Sequence, residues 1–425
     1  LLIKPLLVSA GLAATLAAAA AAAAADAPTP RPAEPGTGAA WPDTAAPSTL
    51  RAALEHAWAR TPAARALNAR HEQARAAADA AGSTLAGPPT LSLGVLDDRL
   101  HRRAGRREWE AEIGMPLWLP GQRGAQQSVA QARLHDLAEG AAARRLQLAG
   151  ELREAWWALA ATREDAALQR GRLDAARVLQ ADVERRVRAG ELARTDALLA
   201  TGEAHAAEAA LADALLQERL AADRLRALTG TPVPAALAPE GLAEAEAPPA
   251  PHPRLAAAAA AVRLAQARLA LVARSTREAP EVALRLQRER DGVGERWADR
   301  VGVRLSVPLG SAPRQLRDSA EVRAELLEAQ AEEALLQSQL ALDIDAARRE
   351  RDTAEAKAAL AASRAALAAE ALQLIHKSFA LGESDLPALL GAQAADFDAR
   401  AEVRRLEVAR AAAASRLRQA LGVMP

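Results

Sequence analysis

Seven histidines and 54 Asp and Glu side chains are the groups in this 425-residue chain best able to move protons or hold a metal. Their spacing supports neither task. His56, His71, His101, His135, His205, His252 and His376 are scattered, with no pair at i and i+4 and no clustered ligand spacing. There is no cysteine, which removes disulfides, thiolate metal sites, cysteine nucleophiles and lipidation on cysteine. No phosphate-binding glycine loop, dinucleotide fingerprint, GxSxG or HExxH occurs. Paired carboxylates are plentiful, but on helices this charged they read as solvated surface. The chain is read as non-enzymatic, with no cofactor and no metal.

A few charges do follow a pattern. Glu110 and Glu112 alternate with Trp109, Ala111, Ile113 and Met115, and Arg285 and Gln287 alternate with Val282, Leu284 and Leu286. In "VGVRLSVPLG" (301–310) the odd positions are all apolar, and Arg304 and Ser306 lie between them. With Leu91, Leu93 and Val95 around Ser92, these make four period-two segments, each a strand with one greasy and one wet face. Strands of roughly 7–10 residues suit a membrane barrel whose lipid-facing and lumen-facing positions alternate. Glu110, Glu112, Arg285 and Arg304 are then lumen-facing. Four strands cannot close a barrel and open edges are not tolerated in lipid, so three copies would supply a 12-stranded one. Two hairpins capping a soluble helical bundle are the alternative.

The remainder must position those strands, and it is written twice. "LRALTG" at Leu225 and "LRQALG" at Leu417 lie 192 residues apart, as do Gly190 and Gly382, and Pro116 and Pro308. Pro89 and Pro280, and Pro62 and Pro253, are 191 apart. Each half reads as an Ala-rich helix (about Thr49 to Ala81; about Arg254 to Arg274), two short strands, a very long helix, a Gly-centred turn and a return helix. Leu148, Leu152, Trp156 and Leu159 step by helical intervals, and no proline interrupts 121–231 or 314–386. The stretch from Gln122 to Ala189 is about 100 Å of helix at 1.5 Å per residue, twice the return helix from Asp196 to Thr229. The expected organisation is residues 1–25 a signal peptide, 26–47 a Pro-rich segment, 48–230 the first repeat, 231–251 a linker and 252–425 the second repeat.

Composition narrows the rest. Lys plus Arg equals Asp plus Glu, at 54 each, which gives no sign of nucleic acid. Two Phe and no Tyr are few aromatics for a globular core, but Ala/Leu helices need fewer. Lys4, the apolar run after it and an A-x-A option near Ala23–Ala25 read as an export signal, with a membrane anchor as the alternative. No later stretch reads as apolar enough for a spanning helix, so insertion would be by strands.

The export signal, the duplicated units, "RVRAGELARTDALLA", "IGMPLWLPGQR" and the "LTG" unit end resemble the TolC family of outer-membrane efflux proteins from about Ser48 onward. The resemblance implies a mainly α fold with a membrane β-barrel part: a homotrimer with a 12-stranded outer-membrane barrel on an α-helical periplasmic tunnel. It implies a passive exit duct that docks on a periplasmic adaptor and, through it, an inner-membrane pump of RND or ABC type. "ALEHAWARTP" and "PLWLPGQR" look most like ducts of heavy-metal RND systems, with metal ions or drugs as cargo. A soluble periplasmic coiled-coil scaffold or adaptor is the competing reading. One departure stands out: apart from Trp109 and Trp297 there are almost no aromatics for an interfacial girdle.

Residue roles follow from that resemblance. Gly190, Glu191, Arg194, Thr195 and Asp196, with Gly382, Glu383, Ser384 and Asp385, would form the tip turns an adaptor grips, a purely structural helix–turn–helix connection being the alternative. Gly190 and Gly382 end helices in the left-handed conformation, while Thr195 or Asp196, and Ser384 or Asp385, cap the next ones. Pro116 and Pro120, and Pro308 and Pro313, would bend barrel into tunnel, with Trp118 at the interface or packed in the junction. Asp97–Arg107 and Arg288–Arg296 would be external loops, solvated or touching anionic lipopolysaccharide. Family members close at the tip through interhelical polar links, and Asp182, Arg185, Arg186 and Arg188 are near enough to take part, though a solvated helix face explains them equally well.

Overall fold

Helix boundaries in this chain follow its prolines and glycines. A computed structural model of the chain describes residues 47–98, 105–238, 240, 251–310 and 312–425. The signal peptide, almost all of the Pro-rich segment, most of the linker and residues 99–104 of the first loop lie outside the described residues. Helices α1 (Leu50–Arg60) and α2 (Pro62–Ala81) replace the single helix expected from Thr49 to Ala81. Pro62 forces the residue before it out of the helical region: Thr61 sits at ψ 142° and its hydroxyl caps α2 by accepting from the Ala64 N–H at 3.1 Å.

Strands β1 (Thr90–Asp97) and β2 (Arg107–Pro116) follow, then the long helix α3 (Gln122–Ala189) and the return helix α4 (Arg194–Thr229). The same order recurs as α5 (Pro253–Arg274), β3 (Glu281–Arg290), β4 (Ala298–Ser306), α6 (Ala312–Ala380) and α7 (Leu386–Ala420). The two long helices have 68 and 69 residues, about 100 Å each. Alanine and leucine carry them: Leu152, Trp156 and Leu159 of α3 are buried with Leu50, Leu54 and Leu225 in the main cluster. Further along, Leu173 and Ala176 meet Ala204 and Ala207 of α4, small residues that let the backbones approach.

One polar knot sits inside this packing. Arg153 of α3, 1 % exposed, donates to Glu240 Oε1 at 2.5 Å and to the Val423 carbonyl at 3.0 Å, and also to Gln419. Ser415 donates to the same Glu240 carboxylate. A buried charge pair is tolerable only when its remaining donors and acceptors are used, as here. The knot fastens α3, the linker residue Glu240 and the end of α7.

All four strands form one antiparallel meander, β1-β2-β3-β4, because β2 pairs with β3 across the two halves. β1 and β4 are left as open edges. Among the described residues two helices, α5 and α6, contain an 18-residue window apolar enough by length and composition to cross a membrane, against the expectation of none. Alanine produces this: it scores as apolar without making a continuous greasy surface, and Arg263 and Arg268 interrupt α5.

Candidate functional site

The sheet is built inside out relative to one in a water-soluble core. On one face Leu93, Val301, Val303 and Leu305 are 63–75 % exposed, alongside exposed Leu91, Val95 and Leu284. On the other, Glu112 and Glu289 are 6 % and 9 % exposed. The register explains the second face. Arg285 reaches Glu110 at 2.6 Å, Arg304 pairs with Glu112, and Arg300 meets Glu289 at 2.7 Å. Arg304 belongs to β4 and Glu112 to β2, so the guanidinium passes over β3 near Ala283, which is directly opposite Arg304 and 2 % exposed. A longer side chain there would block the pair. Glu110, Glu112, Arg285 and Arg304 thus share one face in two ion pairs, while Gln287 bonds Glu108 and Glu289 beside them. Arg300 and Glu289 were not singled out from the sequence, although the same period of two runs through them.

At the base of the sheet the chain turns into helix. The Leu117 N–H donates to the Pro280 carbonyl at 2.7 Å and the Ala86 N–H to Pro116 at 3.0 Å, pinning the strand ends together. Gln122 accepts from the Leu119 N–H and donates to Ser275 of the other half, each at 3.1 Å. Gly121, at φ 75°, opens α3. Pro116 closes β2 and Pro120 and Pro308 lie between strand and helix. Pro313 differs: it is the second residue of α6, where a missing N–H costs nothing. The Trp118 indole donates to the Ser83 carbonyl at 3.1 Å, which ties it into the junction.

At the far end both Gly turns come together. Gly190 (φ 82°) and Gly382 (φ 76°) each end a long helix. The N–H groups of Glu191 and Glu383 reach back to Arg186 and Ser378 at 2.9 and 3.0 Å, and those of Gly190 and Gly382 to Val187 and Phe379 at 3.1 Å. Val183, Ala200, Phe379, Leu386 and Leu389 form a shared plug beneath them. Gly190, Glu191, Arg194, Thr195, Gly382, Glu383 and Asp385 are exposed; Asp196 and Ser384 are half-buried. Asp385 is the cap of α7, accepting from the Ala388 N–H at 3.0 Å, and Ser384 instead points back to Ile375. Neither Thr195 nor Asp196 is the cap of α4. The helix begins earlier, at Arg194, and Asp196 in its first turn accepts from the Ala193 N–H at 3.1 Å.

Near the tip, Asp182, Arg185 and Arg186 pair within one helix. Asp182 pairs with Arg185 at 2.5 Å and Arg186 at 3.1 Å, one turn away on α3. What crosses to α6 is Arg186 stacked over Phe379, 5.3 Å from the ring centroid. The second external segment also shifts. The ladder holds Arg288, Glu289 and Arg290 in β3, leaving a shorter connection. Among the described residues no His, Asp and Glu side chains converge as a metal site.

Comparisons with known proteins fit this geometry. Residues 53–231 match the family described as outer membrane efflux protein. No curated protein matches the chain in sequence. Its fold is similar to the crystal structure of a membrane protein from Pseudomonas aeruginosa (20 % identity, TM-score 0.71, covering 88 % of this chain and 93 % of that one). It is similar to the outer membrane protein VceC from Vibrio cholerae (16 %, 0.72, 88 % and 96 %) and to the open state of the MtrE outer membrane channel from Neisseria gonorrhoeae (18 %, 0.68, 88 % and 89 %).

Proposed function

We propose that this chain, whose residues 53–231 match the outer membrane efflux protein family and which is built on the fold of outer-membrane channels, is an outer-membrane efflux duct that closes a barrel with two further copies. The observation that carries this is the sheet: four strands, two open edges, an exposed apolar face and an ion-paired polar face. Open edges cannot persist in lipid, and a meander of even strand number stays antiparallel when β4 of one copy meets β1 of the next. Three copies give twelve strands with the charged face, Glu110, Glu112, Arg285 and Arg304, around a wet lumen.

The helices support the same assembly. Leu360, Leu367, Leu374 and Leu381 recur every seven residues along α6 and its end, each at least 64 % exposed. Such a seam supercoils against another helix, and here the missing helix belongs to another copy. The duct is the passive exit of a tripartite export system. An adaptor docks on the tip turns around Gly190, Glu191, Arg194, Gly382 and Glu383, and an inner-membrane pump of RND or ABC type drives the cargo, metal ions or drugs.

The test is unheated detergent-gel mobility and mass of the protein from the outer-membrane fraction. A trimer that collapses to monomer on boiling is the expected result, and adaptor crosslinking at positions 190 and 382 follows from it. A soluble periplasmic monomer would overturn the barrel and favour a coiled-coil scaffold.

A further inference from the structure

The apolar outer face of the sheet ends in a row of charge. Along β3, Val282, Leu284 and Leu286 give way to Arg288 and Arg290; along β2, Met115, Ile113, Ala111 and Trp109 give way to Arg107. On the flanking strands Asp97 and Asp299 occupy the same level, since the register sets Asp97 against Arg107, Arg107 against Arg290 and Arg288 against Asp299. Period-two alternation puts all five on the apolar face.

This row is not neutral. Arg107 pairs with Asp97 at 3.1 Å and Arg288 lies 3.3 Å from Asp299. Arg290 has no carboxylate at ion-pair distance among the described residues, and its Nε is buried without a hydrogen-bond acceptor. It stands directly opposite Arg107, a like-charge cross-strand pair that Asp97 offsets on the Arg107 side and that an added anion would relieve on the Arg290 side. Trp297 fixes the geometry: the guanidiniums of Arg288 and Arg290 lie 5.5 and 5.0 Å from its ring. Held this way, they present planar donor forks of the kind that match phosphate oxygens.

We propose that Arg107, Arg288 and Arg290, braced by Trp297, bind the phosphate groups of lipid headgroups and so set the depth of the barrel. The inference rests on the barrel reading above, which makes this face lipid-facing. A lipid fits better than a free phosphate because the row directly adjoins Leu286 and Trp109, 40 % and 54 % exposed, which acyl chains would cover. A ligand carrying phosphate and hydrocarbon together touches both.

The experiment is native mass spectrometry of the full chain in detergent with three probes: a glycolipid bearing phosphomonoesters, the same glycolipid after phosphatase treatment, and inorganic phosphate. The expected result is retention of the phosphorylated lipid at least about tenfold above the dephosphorylated one, the scale of one charge-assisted hydrogen bond. Arg107→Gln with Arg290→Gln should bring that ratio close to unity, Arg290→Lys should keep part of it, and Trp297→Leu should lower it less. Equal retention of both lipids, or indifference to the arginine variants, would overturn the proposal. So would inorganic phosphate binding that displaces the lipid, which would mean a free-anion site. The spectra also report oligomer mass: trimers without a phosphate preference sink only this inference, whereas wild-type monomers sink the barrel reading and this inference with it.

Discussion

Helices α3 and α6 occupy equivalent places in the two halves and are nearly equal in length, yet they are buried very differently. α3 packs against α1, α2, α4, α5 and α7 and buries twelve residues, including Trp156 and Arg153. α6 packs against α5 and α7 and buries five, and its leucine seam faces outward. Duplication repeated the secondary structure without repeating the neighbourhood. One long helix is the core of the chain; the other lies largely at its surface.

Truncating the buried side of that contrast should have the largest effect. Trp156→Ala is expected to cost about 3–5 kcal/mol, read as a lower urea midpoint, because it empties the centre of the main cluster. A midpoint unchanged from wild type would show that α3 is not the core. On the exposed side, Leu367→Glu with Leu374→Glu should leave the monomer's helical circular dichroism intact and abolish the heat-dissociable trimer, since charges in a coiled-coil seam are not tolerated. If the trimer persists, the seam is not an interface.

The sheet extends the comparison, because there the few buried charges, Glu112 and Glu289, lie on the polar face and the apolar face is exposed. Glu112→Gln should destabilise by at most about 1 kcal/mol, because Arg304 is 55 % exposed and water takes over its donors, and adding Arg304→Gln should recover part of it. No recovery would mean that the pair is not coupled. At the tip the two halves should behave alike: Gly190→Ala and Gly382→Ala each lose about 1–2 kcal/mol from left-handed backbone, whereas Gly124→Ala in helical backbone loses none. Unequal tip losses would break the equivalence of the turns.

The smallest effect concerns His252, the cap of α5, which touches both long helices. Burial first, and then Arg254, hold its imidazole below the ordinary 6.5. The folded state therefore binds fewer protons than the unfolded one, and this contribution is intact above pH 6.5 and lost as pH falls below it. Thermal melts between pH 7.5 and 5.5 should show a decline that His252→Asn reduces; an identical decline in the variant would exclude His252 as its source.

The strands, their faces and the duplication were legible because period-two patterning and offset prolines are local signals. So were the charged partners on the polar face, since Glu110 and Glu112 are two apart and Arg285 and Arg304 each alternate with apolar neighbours. The break at Thr61 was available in Pro62 but was outweighed by the alanine pattern on either side. The cap of α4 was misplaced because Asp196 satisfies the backbone from the first turn rather than from the capping position. Arg288 and Arg290 were read as loop because charge suggests solvent, while their strand conformation depends on pairing with β2, a contact across nearly half the chain. Arg153 gave no signal at all: its partners Glu240 and Gln419 are brought to it only by packing.

Pairing of β2 with β3 has a consequence for symmetry. In the proposed ring each chain supplies two similar sectors, so a threefold assembly approximates a sixfold one. Every second boundary between sectors is then sealed within one polypeptide, by the β2–β3 ladder and the Glu240 linkage, and every other one is left to association. A half-length chain would need six copies to enclose the same circumference, with six openable seams. Covalent fusion halves that number, and the sequence divergence between α3 and α6 is what a structure acquires once its two kinds of boundary no longer have the same work to do.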